Sequence, residues 1–302
     1  MVAQSFRPAP ARGWLVPIGG GLADPAIFER FVALCGGPGA RLVVVPVASS
    51  LPRTGYEYAD ALRRHGASGV AVLDVRTRTD SENPDALAAL ARADGVFFTG
   101  GDQVRLAEVL GGTPIARLLR RRWAEDELPV AGTSAGASYL SERMIARGWS
   151  GPRPRPGMVT LITGLGLATD LVIDQHFRER RRQGRLLTAV SLEPECTGVG
   201  VDENTAAFIA PDGETTIVGT GGITVIDARS ARPIAPAAPA VHAPAAFPTE
   251  RRRRPARPVP QPRVDVRTLR VRIVATGERV MLGATTGLRA DLPDAFTAAS
   301  PV

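Results

Sequence analysis

Ser134 stands between two glycines in a Gly-x-Ser-x-Gly motif, at residues 132–136 of the 302-residue chain. A serine hydroxyl becomes a nucleophile when a neighbouring base takes its proton, so the motif is a candidate for acyl transfer. An apolar run precedes it at 128–131, and residues 138–147 are predicted to form a helix. Strand, tight turn and helix make the nucleophile elbow of serine hydrolases, in which the N–H of Ala135 would face a developing oxyanion. An ordinary glycine-rich turn is the alternative.

A histidine that could act as the base follows a short strand predicted at 171–173. His176 closes that apolar run, and the ends of strands are where α/β sheets place functional groups. Arginines crowd the residues after it. Nearby guanidinium groups disfavour a charged imidazole, so we expect the ring to be a neutral base.

The arginine-rich run at 178–185 has two interpretations. If the run is helical, Arg178, Arg182 and Arg185 share one face and Arg180 does not. It could be an ordinary solvated basic helix. Alternatively, its planar guanidinium groups could grip substrate carboxylates in a bidentate manner.

Adjacent acids at Asp202 and Glu203 offer the third group of a triad. A carboxylate fixes the tautomer and orientation of a catalytic histidine. Ser134, His176 and Glu203 are therefore the predicted catalytic residues, with Asp202 as the competing acid. This order along the chain differs from the serine, acid, histidine order of the α/β-hydrolases.

The positive charge of the chain is concentrated in one segment. The sequence has no lysine, so its 37 basic residues are all arginines, and its formal net charge is +7. Residues 229–263 carry eight arginines against the single acid Glu250, a surplus that accounts for the whole net charge. The segment is rich in proline and alanine and has few large apolar residues, so we predict a disordered insertion. Any nucleic-acid binding is therefore expected to be weak and salt-sensitive, and to occur through residues 229–263.

The predicted elements favour a single α/β domain over 1–302. Apolar strands are predicted at 14–18, 41–47, 70–75 and 95–98. Their alternation with predicted helices indicates a parallel sheet covered on both faces. Residues 264–282 predict a C-terminal hairpin that packs back on the core. The glycine run 19–21 lacks the spacing of a dinucleotide-binding loop, so no such cofactor is expected.

Cysteine usage and hydropathy favour a cytoplasmic protein. Cys35 and Cys196 have neither disulfide-framework nor metal-ligand spacing and are predicted to be free thiols in a reducing compartment. The sequence contains no apolar run long enough for a membrane span, and its first ten residues lack the apolar core of a secretory signal.

Four motifs in combination resemble a known family. They are Gly-Gly-Asp-Gln at 100–103, Gly-Thr-Ser-Ala-Gly-Ala at 132–137, Asp-Gln-His-Phe at 174–177 and Gly-Val-Asp-Glu at 200–203. Together they resemble the cyanophycinases, in the serine peptidase family that also contains the aspartyl dipeptidases. The likeness runs from about residue 14 to 227 and resumes in the terminal strands. It implies a flavodoxin-like three-layer sandwich, akin to class I glutamine amidotransferases, and a homodimer.

The resemblance also implies roles for single residues. The nucleophile, base and orienting acid fall on Ser134, His176 and Glu203, and the oxyanion hole falls on the N–H groups of Gly101 and Ala135. The implied substrate-binding residues are Gln103, Asp174, Gln175, Arg180, Arg182 and Arg185. The chain departs from the family pattern at Arg181, where a small residue is expected, and in the 229–263 insertion.

The substrate implied by the resemblance is cyanophycin, a poly-aspartate chain that carries arginine on each side-chain carboxyl through a β-linked amide. Its hydrolysis would release β-Asp-Arg dipeptides through an acyl-enzyme, without a metal or a cofactor. One alternative is a β-aspartyl or aspartyl dipeptidase acting on short peptides. The other is a non-catalytic polyanion-binding protein on the same fold, which the intact triad positions disfavour.

Overall fold

The computed structural model describes residues 13–227 and 269–282. The strands in these two ranges are β1 (Leu15–Ile18), β2 (Arg41–Val45), β3 (Gly69–Val72), β4 (Gly95–Phe98), β5 (Val130–Thr133), β6 (Arg143–Gly148), β7 (Val159–Thr163), β8 (Leu171–Asp174), β9 (Thr197–Val201), β10 (Thr205–Ile209), β11 (Glu214–Gly219), β12 (Gly222–Asp227), β13 (Arg270–Ala275) and β14 (Arg279–Met281). The α-helices are α1 (Pro25–Leu34), α2 (Thr54–Arg64), α3 (Pro84–Ala91), α4 (Gln103–Leu110), α5 (Pro114–Glu125), α6 (Ala135–Tyr139) and α7 (Gln183–Leu192). The predicted insertion at 229–263 lies outside the described residues.

The largest sheet has eight strands in the order β14-β11-β10-β1-β5-β4-β2-β3. Strands β1 to β5 run parallel within it, and β10, β11 and β14 extend it in antiparallel fashion at one edge. A second sheet has the order β13-β12-β9-β8, and β6 pairs with β7. The parallel strands are apolar along their length because helices cover both of their faces.

Side chains of the central strands alternate between two apolar layers. Val43 and Val45 of β2 belong to the layer that contains residues of α3, α4, α5 and α6. Leu42 and Val44 of the same strand belong to the opposite layer, with residues of α1 and α2. The helices therefore lie on both faces of the sheet, which is the flavodoxin-like three-layer α/β class that was predicted.

Two predicted elements are wrong. The helix expected at 138–147 is the end of the short α6 followed by strand β6, which pairs with β7. The terminal strands do not form a hairpin with each other, because β13 pairs with β12 and β14 pairs with β11. They do pack on the core, since Val274 and Val280 are buried in the larger apolar layer.

The loops that carry the candidate residues meet at one edge of the molecule. Strands β1, β4 and β5 are parallel, so the loops that follow them lie together at their carboxyl ends. Cys35 and Cys196 are free thiols, as predicted, and both are buried. Within 13–227 and 269–282, no helix is long and apolar enough to cross a membrane.

We propose that the 229–263 segment is an insertion that the fold does not need. Asp227 at the end of β12 is paired in register with Arg270 at the start of β13, so a short connection would suffice. Replacing 230–261 with a short Gly/Ser link should leave the thermal midpoint unchanged, since loop length costs only about 0.6 kcal/mol per doubling. A calorimetric scan of both proteins checks this, and a deletion variant that fails to fold would contradict the proposal.

Candidate active site

Ser134 occupies a strained turn between β5 and α6. Its backbone angles are φ 53° and ψ −115°, a region that side-chain-bearing residues rarely adopt. A Cβ on Gly132 would lie 2.4 Å from the backbone carbon of Gly136, so only glycine allows the strand and helix to approach this closely. The turn leaves the Ser134 hydroxyl free to contact residues of the second sheet.

The imidazole of His176 lies directly against that hydroxyl. His176 follows β8, and its Nε2 is 2.8 Å from Ser134 Oγ. The His176 amide donates to the carbonyl of Gly19 at 2.7 Å, which ties the end of β8 to the loop after β1. A Cβ on Gly20 would lie 2.4 Å from Nε2, so a side chain there would displace the ring.

Glu203 completes the hydrogen-bonded chain. Its Oε1 lies 2.5 Å from His176 Nδ1. Asp202 instead accepts from the amides of Arg178 and Gly222, and is only 6% exposed. The geometry therefore distinguishes the two adjacent acids. Glu203 contacts the imidazole, whereas Asp202 accepts hydrogen bonds from backbone amides.

The environment keeps His176 neutral. Burial is the main cause that lowers the pKa of His176, and Arg180 and Arg182 lower it further, while Glu203 acts in the opposite direction. The predicted direction is confirmed, although burial contributes more than the arginines that suggested it. A neutral imidazole with Nδ1 held by a carboxylate can accept a proton from Ser134 at Nε2.

The predicted oxyanion-hole residues flank Ser134. Ala135 is the first residue of α6, and the amides of a helix's first turn have no partner within the helix. A Cβ on Gly100 would lie 3.2 Å from Ser134 Cβ, which places the loop after β4 against the serine. Gly101 belongs to this loop and Ala135 to the first turn of α6, and the role of their N–H groups in oxyanion binding stays a prediction.

Three of the predicted substrate-binding residues form a buried ionic cluster. Arg185 donates from Nε to Asp174 Oδ2 at 2.7 Å and from Nη2 to Oδ1. Arg182 donates from Nη1 to the carbonyl of Gln175 at 2.5 Å and lies 3.6 Å from Asp174. Asp174, Arg182 and Arg185 are each less than 8% exposed. Burial lowers the pKa of Arg182 to about 10, so it remains charged at neutral pH.

The other three predicted binding residues differ in their surroundings. Gln175 places Oε1 3.3 Å from Ser134 Oγ. Gln103 donates from Nε2 to the carbonyls of Ile145 and Ala146 in β6. Arg180 is exposed, and its amide donates to the carbonyl of His176 at 3.1 Å.

The arginine-rich run at 178–185 does not form one helix. Helix α7 begins only at Gln183, and Arg181 before it has φ 53°, in the region that favours glycine. Arg178 is exposed while Arg182 and Arg185 are buried, so the three do not share a face. The expectation of a small residue at 181 has a physical basis in this turn.

Some residues that shape the site were missed from the sequence. Besides Gly20, Asn204 ties the loop after β9 to the loop after β1, because its Oδ1 accepts from the amides of Ala23 and Asp24. Glu179 accepts from the amide of Glu203 at 3.1 Å. The glycine run after β1 is the sequence signal of this close approach, since a side chain at Gly20 would meet the His176 ring.

Comparisons with known proteins agree with this geometry. Residues 18–217 match the model of peptidase family S51. The chain belongs to peptidase family S51. It is accordingly a serine peptidase, as the motif combination indicated.

Several S51 relatives are named cyanophycinase. The chain is 40% identical over 202 residues to that of Trichormus variabilis, covering 67% of this chain and 68% of the relative. It is 40% identical over 222 residues to that of Thermosynechococcus vestitus, covering 72% and 69%. It is 38% identical over 205 residues to that of Geminocystis herdmanii, covering 68% and 75%.

A solved structure shares the fold. The crystal structure of a peptidase from an acI-B1 Actinobacterium superposes with a TM-score of 0.61 over 90% of this chain and 98% of that chain. Its sequence identity is 19%, so the likeness supports the fold alone.

We predict that Glu203→Gln lowers kcat by about 10⁴-fold, as loss of the orienting carboxylate does in other serine triads. Asp202→Asn is the matched control and should have a much smaller effect on kcat, because Asp202 accepts from backbone amides instead of contacting the imidazole, and the Asn oxygen keeps one of its two bonds to the amides of Arg178 and Gly222. Steady-state hydrolysis by both variants checks this. If Asp202→Asn were the damaging change, Glu203 would not be the orienting acid.

We predict that Arg185→Ala destabilises the fold by about 3–5 kcal/mol, because it leaves the Asp174 carboxylate buried without its bidentate partner. Arg180→Ala is the matched control; since Arg180 is exposed, its change should stay within about 0.5 kcal/mol. Denaturant unfolding of the two variants measures the difference. Equal stability would mean that Arg185 does not compensate the charge of Asp174.

Proposed function

We propose that this chain hydrolyses cyanophycin to β-Asp-Arg dipeptides as a serine-type exopeptidase. The observation that carries the proposal is the hydrogen-bonded chain from Ser134 Oγ through His176 to Glu203, in a sequence 40% identical to proteins named cyanophycinase. The alternative of a dipeptidase acting on short peptides has no comparable support among these relatives.

The geometry supports acyl transfer through Ser134. His176 Nε2 takes the hydroxyl proton as Oγ attacks the carbonyl carbon, and Glu203 stabilises the imidazolium that forms. The N–H groups of Gly101 and Ala135 would stabilise the oxyanion. Nε2 then gives its proton to the leaving amine, and water attacks the acyl-enzyme with His176 again as base. The strained turn at Ser134 fits the nucleophile elbow.

The buried ionic cluster fits a positioning role toward the nucleophile. Asp174 Oδ1 accepts from the amide of Gln175, and Arg182 donates to the carbonyl of the same residue. Gln175 Oε1 in turn lies 3.3 Å from Ser134 Oγ. We propose that Asp174, Arg182 and Arg185 act on the substrate through the placement of Gln175.

We propose that Arg180 contacts a substrate carboxylate directly, since it is exposed and lies close enough to lower the pKa of His176. Arg180→Ala should remove a charge-assisted contact of roughly 1.5–3 kcal/mol from polymer hydrolysis. Acylation of Ser134 by a small serine-reactive probe should stay near the wild-type rate. Equal loss in both assays would mean that Arg180 supports His176 rather than the substrate.

The homodimer and the cytoplasmic location are also proposals. The first is supported by the family resemblance and the second by the two free cysteines. Equilibrium sedimentation at several protein concentrations would test the dimer, and a monomeric mass throughout would contradict it. Fractionation of cells that make the protein would test the location.

Incubation with insoluble cyanophycin tests the function itself. The wild type should release β-Asp-Arg, identified by mass spectrometry, and Ser134→Ala should release none. Ser68→Ala is the matched control, because Ser68 is exposed and precedes β3, at the opposite edge of the sheet. Release of other products, or turnover by purified Ser134→Ala near the wild-type rate, would overturn the proposal.

A further inference from the structure

The loop between β6 and β7 forms an open cavity next to the turn that follows His176. The cavity has a volume of about 520 Å³ and is lined by residues 149–153 and 155–158 of the loop between the strands. Cavities of this size commonly bind small molecules or one segment of a chain. We refer to residues 149–158 as the hairpin loop.

The hairpin loop is joined to the turn that follows His176. The amide of Gly151 donates to the carbonyl of Arg181 at 2.8 Å, and the amide of Gly184 donates to the carbonyl of Gly151 at 2.8 Å. Arg180, one residue earlier, bonds through its amide to the carbonyl of His176. The hairpin loop is therefore bonded directly to the segment that carries His176 and Arg180.

The strands below the loop are fixed by residues of the site. Gln103 bonds to the β6 carbonyls of Ile145 and Ala146, and a Cβ on Gly148 would lie 3.4 Å from Arg185 Cδ. The amide of Trp149 closes the stem by donating to the carbonyl of Met158 at 3.0 Å. The hairpin loop is thus held in place relative to the candidate active site.

The arginines of strand β6 have acidic partners, whereas those of the hairpin loop do not, within the described residues. Residues 143–163 contain four arginines and no acid. At the stem, Arg143 lies 3.7 Å from Glu193 and Arg147 lies 3.5 Å from Asp102. At the loop, Arg153 and Arg155 are exposed, and neither has an ion-pair partner within the described part of the chain. The cavity rim therefore offers two guanidinium groups that can bind carboxylates.

An aromatic face accompanies these charges. Trp149 lines the cavity and is 76% exposed. Large aromatic side chains are usually much more buried than this. An indole face attracts a guanidinium cation, while Arg153 and Arg155 attract carboxylates. A ligand that presents both groups in alternation would match this rim.

We infer that the hairpin loop is a second binding subsite for the polymer, which holds units beyond the scissile one; this rests on the proposed function. Each unit of the proposed substrate presents one arginyl carboxylate and one guanidinium. The carboxylate pairs with Arg153 or Arg155, and the guanidinium stacks on Trp149. The subsite therefore favours long chains over short peptides without taking part in the chemistry at Ser134.

Kinetics on two substrates test the subsite. The double variant Arg153→Ala/Arg155→Ala should raise KM for soluble long-chain cyanophycin by about tenfold, as expected for the loss of charge-assisted contacts, and leave kcat unchanged. Hydrolysis of a short soluble β-Asp-Arg peptide should keep its wild-type kcat/KM. Trp149→Ala should act in the same direction, and Trp149→Phe should restore part of the polymer affinity.

A matched control separates the subsite from general loss of charge. Arg64→Ala/Arg121→Ala removes two other exposed arginines, on α2 and α5, and should change neither substrate. Equal effects of the two double variants on the polymer would overturn the subsite. Equal loss of short-peptide activity in Arg153→Ala/Arg155→Ala would also overturn it, since the loop would then support the catalytic residues.

Polymer binding by the inactive Ser134→Ala variant tests the subsite separately from the proposed hydrolysis. Ser134→Ala should bind the long polymer in a salt-sensitive manner, and adding Arg153→Ala/Arg155→Ala should weaken that binding by about tenfold. Unchanged binding overturns the subsite, whereas a wild type that hydrolyses neither substrate overturns the proposed function. If single-stranded oligothymidylate bound the loop more tightly than the polymer, the loop would be a nucleic-acid site instead.

Discussion

The arrangement of the site depends on the contact between two sheets at their carboxyl edges. Ser134 follows a strand of the eight-stranded sheet, whereas His176 and Glu203 follow strands of the four-stranded sheet. The His176 amide and the Asn204 amide each donate at 2.7 Å to carbonyls of the loop after β1, Gly19 and Gly20 respectively. Because Gly20 has no side chain, the imidazole can lie against this loop and still reach the serine hydroxyl. A small displacement at this junction would separate the nucleophile from its base.

Buried charge supports the same junction from the second sheet. An uncompensated buried carboxylate costs several kcal/mol, and Asp174 avoids this cost through its bidentate contact with Arg185. The amide and the carbonyl of Gln175 are held by Asp174 and Arg182, so the charged cluster fixes the residue that lies beside Ser134. Burial disfavours the charged form of His176 and also lowers the pKa of Arg182, but Arg182 stays protonated at neutral pH because its unperturbed pKa is far higher. A neutral base and fixed positive charges can thus coexist at neutral pH.

Much of this arrangement could be predicted from local sequence, and the exceptions have physical causes. Strand β4 has its predicted bounds, because a short apolar run is a local signal. Residues 143–148 include arginine, methionine and alanine, which favour helices, but pairing with β7 overrides that preference. The terminal strands were predicted to pair with each other. Instead each satisfies its backbone at the free edge of a different sheet, a choice that depends on tertiary structure.

The arginines at 178–185 fall into a buried group and an exposed group, a division that helical periodicity does not predict. The left-handed residue Arg181 interrupts the run before α7, so Arg182 turns toward the interior while Arg180 stays in solvent. Such a conformation costs about 1–3 kcal/mol in a residue with a side chain and persists only where its surroundings hold it. Here the carbonyl of Arg181 accepts from Gly151, and the amide of Arg182 donates to the carbonyl of Phe177 at 3.0 Å. The strain at one position thereby separates arginines that compensate buried charge from arginines that can meet a substrate, and it connects the hairpin loop to the segment that carries His176.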